Sequence, residues 1–279
     1  MIHSNSEGDI YIEEMPLLLV HLREEEKGAD ARLSEVLSYA LDGYAYETAA
    51  EISAFEDYVN RWRRLEKTQN RKNPVQGRIL FAVPLGTSGI NLELYRLIRF
   101  LREHPDFLNG FVGGLLVDSE NDLYSKSAAK DLVFAANCAG CAFVGRPLVE
   151  GTRTLSNYTI VSNNLGTDLM GAYRESAAGL VKEVLGTDCV RKKCPKVLVL
   201  HASSHKTSNT YAIWDRVKEQ LPEMEIREIG LRNGTLSDCA GCPYKMCLHF
   251  GEQGSCFYGG VMVEDVYPAV READAIVML

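Results

Sequence analysis

Residues 196–221 read KVLVLHASSHKTSNTYAIWDRVKEQL. Val197 to Leu200 is a short, unbroken apolar run, the pattern of a strand buried on both faces of a parallel sheet. Ala202 to Thr210 is a polar loop. Beyond it Ile213, Val217 and Leu221 recur at the spacing of one helix face. Strand, polar loop and helix in that order form the repeating unit of a doubly wound α/β domain. In such a sheet, ligands bind at the carboxyl ends of the strands. There a helix N-terminus offers unpaired N–H groups and the positive end of its dipole. This loop adds the hydroxyls of Ser203, Ser204, Thr207, Ser208 and Thr210, the amide of Asn209, and the basic side chains of His205 and Lys206. It lacks GxxxxGK[ST] and GxGxxG, which argues against a nucleoside triphosphate or a Rossmann dinucleotide. Its hydroxyl-rich donor set suits a terminal phosphate monoester. An ordinary polar loop, with Ser208 or Asn209 capping the helix, accounts for the same composition.

The same grammar extends in both directions. Downstream, EIREIGL (225–231) reads as a second strand, VEDVYPAVREA (263–273) as a helix and DAIVML (274–279) as a third strand. Upstream, RILFAVPL (78–85), GFVGGLLVDS (110–119) and CAFVG (141–145) read as strands. Between and after them, helices are predicted through Leu94, Leu97, Ile98 and Leu101, over 125–137, and over 165–185. TDCVRKKCPK (187–196) separates the two series. In form, ILFAVPLGTSG parallels VLVLHASSHKTS, and AGCAFVG (139–145) parallels ADAIVML (273–279), as an ancient duplication would leave them. Ahead of all this, Leu33, Val36, Leu37, Ala40, Leu41 and Tyr44 mark one helix, and Ile52, Phe55, Val59 and Trp62 another. The basic RWRRLEKTQNRKNP is expected to be a solvated helix end and linker.

The chain has 279 residues, a net charge of −8, 46% hydrophobic and 24% charged residues. That balance fits a globular protein and argues against nucleic-acid binding. The N-terminus carries no signal-peptide pattern, and Leu17–Val20 is too short to span a bilayer, so a cytoplasmic protein without membrane contact is expected. In that compartment its eight cysteines should be thiols or metal ligands rather than a disulfide framework. The chain ends on a third strand, so the second unit is expected to be part of a longer gene product.

Residues 196–279 resemble the flavodoxin-like NADPH-dependent FMN reductases, a family that includes iron–sulfur flavoproteins. The first loop of that family has the form G-S-P-R-K-x-S/G-N-T, against Ala202-Ser203-Ser204-His205-Lys206-Thr207-Ser208-Asn209-Thr210 here. Its C-x-G-C after the second strand is present as Cys239-Ala240-Gly241-Cys242. Its acidic pair and the A-D opening a strand are present as Glu264-Asp265 and Ala273-Asp274. The resemblance implies a flavodoxin-like doubly wound parallel sheet. With the strand and helix pattern upstream, the expected division is an N-terminal helical segment and linker (1–76), a degenerate α/β unit (77–188) and an incomplete FMN reductase domain (195–279). It also implies FMN held through its phosphate by Ser203, His205, Lys206, Thr207, Ser208, Asn209 and Thr210, with NAD(P)H as electron donor. No side chain stands out as a catalytic acid or base.

Four cysteines, Cys239, Cys242, Cys247 and Cys256, fall within 18 positions, where even scatter would leave about half of one. Pro243, Gly251 and Gly254 favour a loop. A [4Fe–4S] cluster, a zinc ion, or reduced thiols packing the loop would each explain the grouping. The other CAGC, Cys138 to Cys141, sits where a helix ends and a strand begins, and is expected to pack tightly around Gly140. The combined expectation is an FMN-dependent, NAD(P)H-using oxidoreductase and homo-oligomer, passing electrons to a small-molecule or protein acceptor, with or without the cysteine cluster as relay. The competing expectation is a non-catalytic module with a structural zinc or a thiol-rich interaction loop.

Overall fold

The computed structural model describes residues 15–23, 27–68, 76–189, 192–202, 208–231, 236 and 238–279. The chain divides into two compact units, Met1–Cys189 and Val190–Leu279, at the cysteine-flanked segment that the sequence marks as a break.

The first unit contains β1 (Leu17–His21), α1 (Lys27–Ala40), β2 (Tyr46–Ala49), α2 (Ile52–Thr68), β3 (Gly77–Leu85), α3 (Leu92–Glu103), β4 (Phe111–Ser119), α4 (Ser125–Cys138), β5 (Ala142–Gly151), α5 (Thr159–Leu165) and α6 (Leu169–Gly186). Its strands pair in parallel in the order β2-β1-β3-β4-β5. That is the 2-1-3-4-5 order of flavodoxin-like sheets. Helices cover both faces, so the inner strands β1, β3 and β4 are buried almost throughout rather than at alternate positions. Along β3, Ile79, Phe81, Val83 and Leu85 face one core with Phe55, Trp62, Leu97 and Leu132. Leu80 and Ala82 face the other, with Leu33, Val36, Ala177 and Val184.

Both helices expected before residue 76 are present, with Leu33, Val36, Leu37, Phe55, Val59 and Trp62 buried. Tyr44 lies past the end of α1 and is exposed. The segment also holds two strands that periodicity passes over. Leu17–His21 is buried at every position and pairs with both β2 and β3. A run of only four apolar residues, Leu17–Val20, carries no alternation to reveal it. Its presence shifts the correspondence between units. Read by strand order, the counterpart of KVLVLH (196–201) is LLLVH (17–21), and RILFAVPL corresponds to the third strand of the second unit.

The strand expected at 141–145 continues to Gly151 as β5. Gly145 is left-handed (φ 61°), and the register with β4 shifts between Gly113 and Leu115. A bulge of this kind lets a strand run past residues that read as a stop, here Gly145 and Pro147.

The carboxyl edge of this sheet is closed by one arginine. Asp118, at the end of β4, is fully buried. Arg32 from α1 donates to it through Nε (3.0 Å) and Nη2 (2.6 Å). The same guanidinium donates to the carbonyls of Ser119 (3.1 Å), Thr152 (3.0 Å) and Arg153 (3.1 Å). The loops after β4 and β5 are thereby tied to α1. Burial drives the Asp118 carboxyl upward against the pull of Arg32.

The second unit contains β6 (Lys196–His201), α7 (Asn209–Lys218), β7 (Glu225–Gly230), α8 (Tyr244–Gly251), a π-helical turn (Met262–Val266), α9 (Tyr267–Glu272) and β8 (Ala275–Met278). Its strands pair in parallel as β7-β6-β8, the same 2-1-3 beginning. Its core is small: Val197, Val199, Tyr211 and Trp214 are buried, with Ile226, Val277 and Leu279 packed against them.

Removing Arg32 alone should strand the buried Asp118 carboxylate. Arg32→Met is expected to lower the unfolding free energy of the first unit by about 3–5 kcal/mol in urea titration. Adding Asp118→Leu to that variant should recover most of the loss, because an apolar pair of similar volume needs no compensation.

Candidate functional site

In the second unit β6 lies between β7 and β8. The chain leaves β6 towards β7 on one side and later returns to pair β8 on the other. In open α/β sheets ligands bind at such a reversal, outside the carboxyl ends of the strands, here that of β6. His201 closes the strand there, 5% exposed, with its ring 4.9 Å from that of Tyr211.

Of the proposed phosphate-binding residues, Ser208, Asn209 and Thr210 lie at the start of α7. Ser203, His205, Lys206 and Thr207 lie outside the described residues. Ser208 is the N-cap: its backbone is extended (φ −95°, ψ 113°) and its Oγ accepts from the Tyr211 N–H at 3.2 Å. With Tyr211 taken by the cap, the first N–H groups of the helix, on Asn209 and Thr210, have no partner within the helix. Ser208 and Thr210 each keep a hydroxyl proton to donate. This donor set, at the end of a buried parallel strand, fits a phosphate monoester.

The buried face of α7 differs from the one the sequence points to. Ile213 and Val217 are 64% and 43% exposed, while Tyr211 and Trp214 are buried. Counting aliphatic residues at helical spacing favours the wrong face, because two aromatic rings bury more area than those aliphatics. The polar ends of the aromatics are what the spacing omits. Tyr211 Oη donates to one oxygen of Glu228 on β7. Trp214 Nε1 (3.2 Å) and Lys218 Nζ (2.8 Å) donate to the other. Burial raises the Glu228 carboxyl, but the bonds from Lys218, Tyr211 and Trp214 outweigh it and hold it down at about 2. Burial and the bond to Glu228 push the Tyr211 hydroxyl up to about 12.

The four clustered cysteines are not gathered into a ligand set. Among the described residues no group of three or more His, Cys, Asp or Glu side chains is placed to hold a metal ion. Cys239 and Cys247 are exposed, and Cys242 and Cys256 are half-buried. The expected loop contains a helix: Pro243 is the N-cap of α8 and Gly251 its last residue. Pro243 stands just ahead of the first turn, where its missing N–H costs no helix hydrogen bond. A helix rises about 1.5 Å per residue and cannot fold back on itself. Cys247 is thereby fixed on the first turn of α8, bonded through its N–H to the Pro243 carbonyl at 3.1 Å. His249 is also exposed.

The first CAGC occupies the slot expected of it. Cys138 ends α4 and is exposed, while Cys141 is 1% exposed. Gly140 between them is left-handed (φ 97°), and a Cβ there would run into the Asn109 side chain. Burial pushes the Cys141 thiol well up.

Among the described residues no helix is long and apolar enough to cross a membrane. Residues 195–279 match the family of NADPH-dependent FMN reductases. No curated protein and no solved structure matches the chain.

Native alkylation followed by mass spectrometry should label Cys239 and Cys247 readily and leave Cys141 unmodified until the protein is unfolded. Glu228 makes stability depend on acid. Its folded value of about 2 lies below the ordinary 4.5. Its contribution is therefore complete above pH 4.5 and lost as pH falls towards 2. The difference in unfolding free energy between wild type and Glu228→Gln should shrink across that window.

Proposed function

From the family match of residues 195–279 and the strand-order reversal at β6, we propose that this chain is an FMN-dependent oxidoreductase that takes electrons from NAD(P)H. The single observation that carries the reading is the donor set at the start of α7, on the loop that follows the central strand of the family-matched segment. Ser203, His205, Lys206, Thr207, Ser208, Asn209 and Thr210 hold the flavin phosphate. The N–H groups of Asn209 and Thr210 and the dipole of α7 face the anion. Ser208 serves two bonds at once: its oxygen accepts from Tyr211 while its proton is donated outward. Lys206 adds the compensating charge.

Bound flavin supplies the hydride and electron chemistry itself. The chain's part is to bind it by one end and orient it, and none of the residues named acts as a general acid or base. The acceptor is a small molecule or a protein of the cytoplasm. An iron–sulfur or zinc relay has no part in this reading, because Cys239, Cys242, Cys247 and Cys256 do not converge.

Purified protein should bind FMN more tightly than riboflavin and oxidise NAD(P)H only in the presence of flavin. Lys206→Ala should weaken FMN binding by about tenfold or more, the scale of one charge-assisted hydrogen bond, and leave riboflavin binding unchanged. Absence of FMN binding by the wild-type protein would falsify the assignment.

A further inference from the structure

We infer that Glu228 is a positioning residue for the phosphate end of the flavin site, acting through Tyr211 on the first turn of α7. The inference rests on the proposed FMN site and names a residue outside its binding loop. Tyr211, Trp214 and Lys218 lie at i, i+3 and i+7, so their polar ends line up on one side of α7. All three converge on one carboxylate from the neighbouring strand β7: Tyr211 on Oε2, Trp214 at 3.2 Å and Lys218 at 2.8 Å on Oε1. Three donors spread over two helical turns and meeting at one group define both the rotation of the helix about its axis and its height along β7.

Tyr211 transmits that constraint to the site. Its ring is 2% exposed and meets His201 at the end of β6. Its backbone N–H is the group that Ser208 caps at 3.2 Å. The residue pinned by Glu228 at its hydroxyl is thus the residue that sets the Ser208 cap at its backbone. Ser208, Asn209 and Thr210 follow the rotation of that turn, and so do the N–H groups they offer.

The chemistry of the anchor argues for geometry over adhesion. The core of this unit is small, with Val197, Val199, Tyr211 and Trp214 buried. Apolar side chains at these positions would stick the helix to the sheet at no cost in desolvation, whereas a carboxylate with three donors is a less stabilising but directional joint. Glu228 stays ionised at neutral pH because the donors outweigh its burial.

The experiment uses the full chain and two ligands, FMN and riboflavin, which differ only in the phosphate. Glu228→Ala and Tyr211→Phe are each expected to weaken FMN binding by about tenfold while riboflavin binding changes by less than about twofold. Glu228→Gln, which still accepts from Tyr211, is expected to restore part of the difference. If FMN and riboflavin weaken together, or the FMN-to-riboflavin ratio is unchanged in both variants, Glu228 is a structural anchor only and the inference fails. Should Glu228→Ala not fold, Tyr211→Phe decides alone, since it removes one hydroxyl and keeps the ring. A wild-type protein that binds no FMN overturns the proposed function, and this inference with it. A wild-type protein that binds FMN, with variants of unaltered ratio, overturns the inference alone.

Discussion

A strand that pairs in parallel with its neighbour cannot return by a hairpin. The chain must cross one face of the sheet before the next strand begins, so every loop leaving a carboxyl end falls on the same edge. All the strand pairings among the described residues are parallel. That one constraint explains why the inner strands β1, β3 and β4 are buried on both faces and why helices fill the connections. It also gathers the chemically interesting side chains, such as Asp118, Arg32, His201 and Ser208, at the carboxyl edges of their sheets.

The two units treat that edge differently. In the first, Arg32 reaches across from α1 and uses its donors on Asp118 and on the carbonyls of the β4 and β5 loops. The edge is tied shut from within. In the second, Ser208 caps the first turn of α7, and the N–H groups of Asn209 and Thr210 have no partner within the helix. The long-range polar joint there lies lower, between α7 and β7. Burial separates the two carboxylates, since each has one cationic partner. Asp118, fully buried with one cationic partner, is pushed up. Glu228, partly exposed and bonded by a lysine, a phenol and an indole, is held down.

The cysteines show how far spacing can mislead. Cys239, Cys242, Cys247 and Cys256 are close in sequence, yet α8 inserts a rigid rod among them. Cys138 and Cys141 share the same tetrapeptide, yet one is exposed and the other is sealed beneath the sheet. In both places the backbone conformation of a glycine or proline decides what the thiols can do.

The sequence by itself determined the alternation of strands and helices over 78–145 and 196–231, the break within 187–196, the two cap candidates Ser208 and Asn209, and the packing slot of Cys141. Each depends on residues within a few positions of one another, where periodicity and capping act. It also indicated the family of residues 195–279. Tertiary structure alone decided that Leu17–His21 is the second strand in the sheet order, that Arg32 meets Asp118 86 positions away, and that α7 turns Tyr211 and Trp214 inward to Glu228. Those outcomes depend on which strands become neighbours after a crossover. Local hydrophobic spacing carries no record of that choice, because an apolar strand looks the same whichever strand it pairs with.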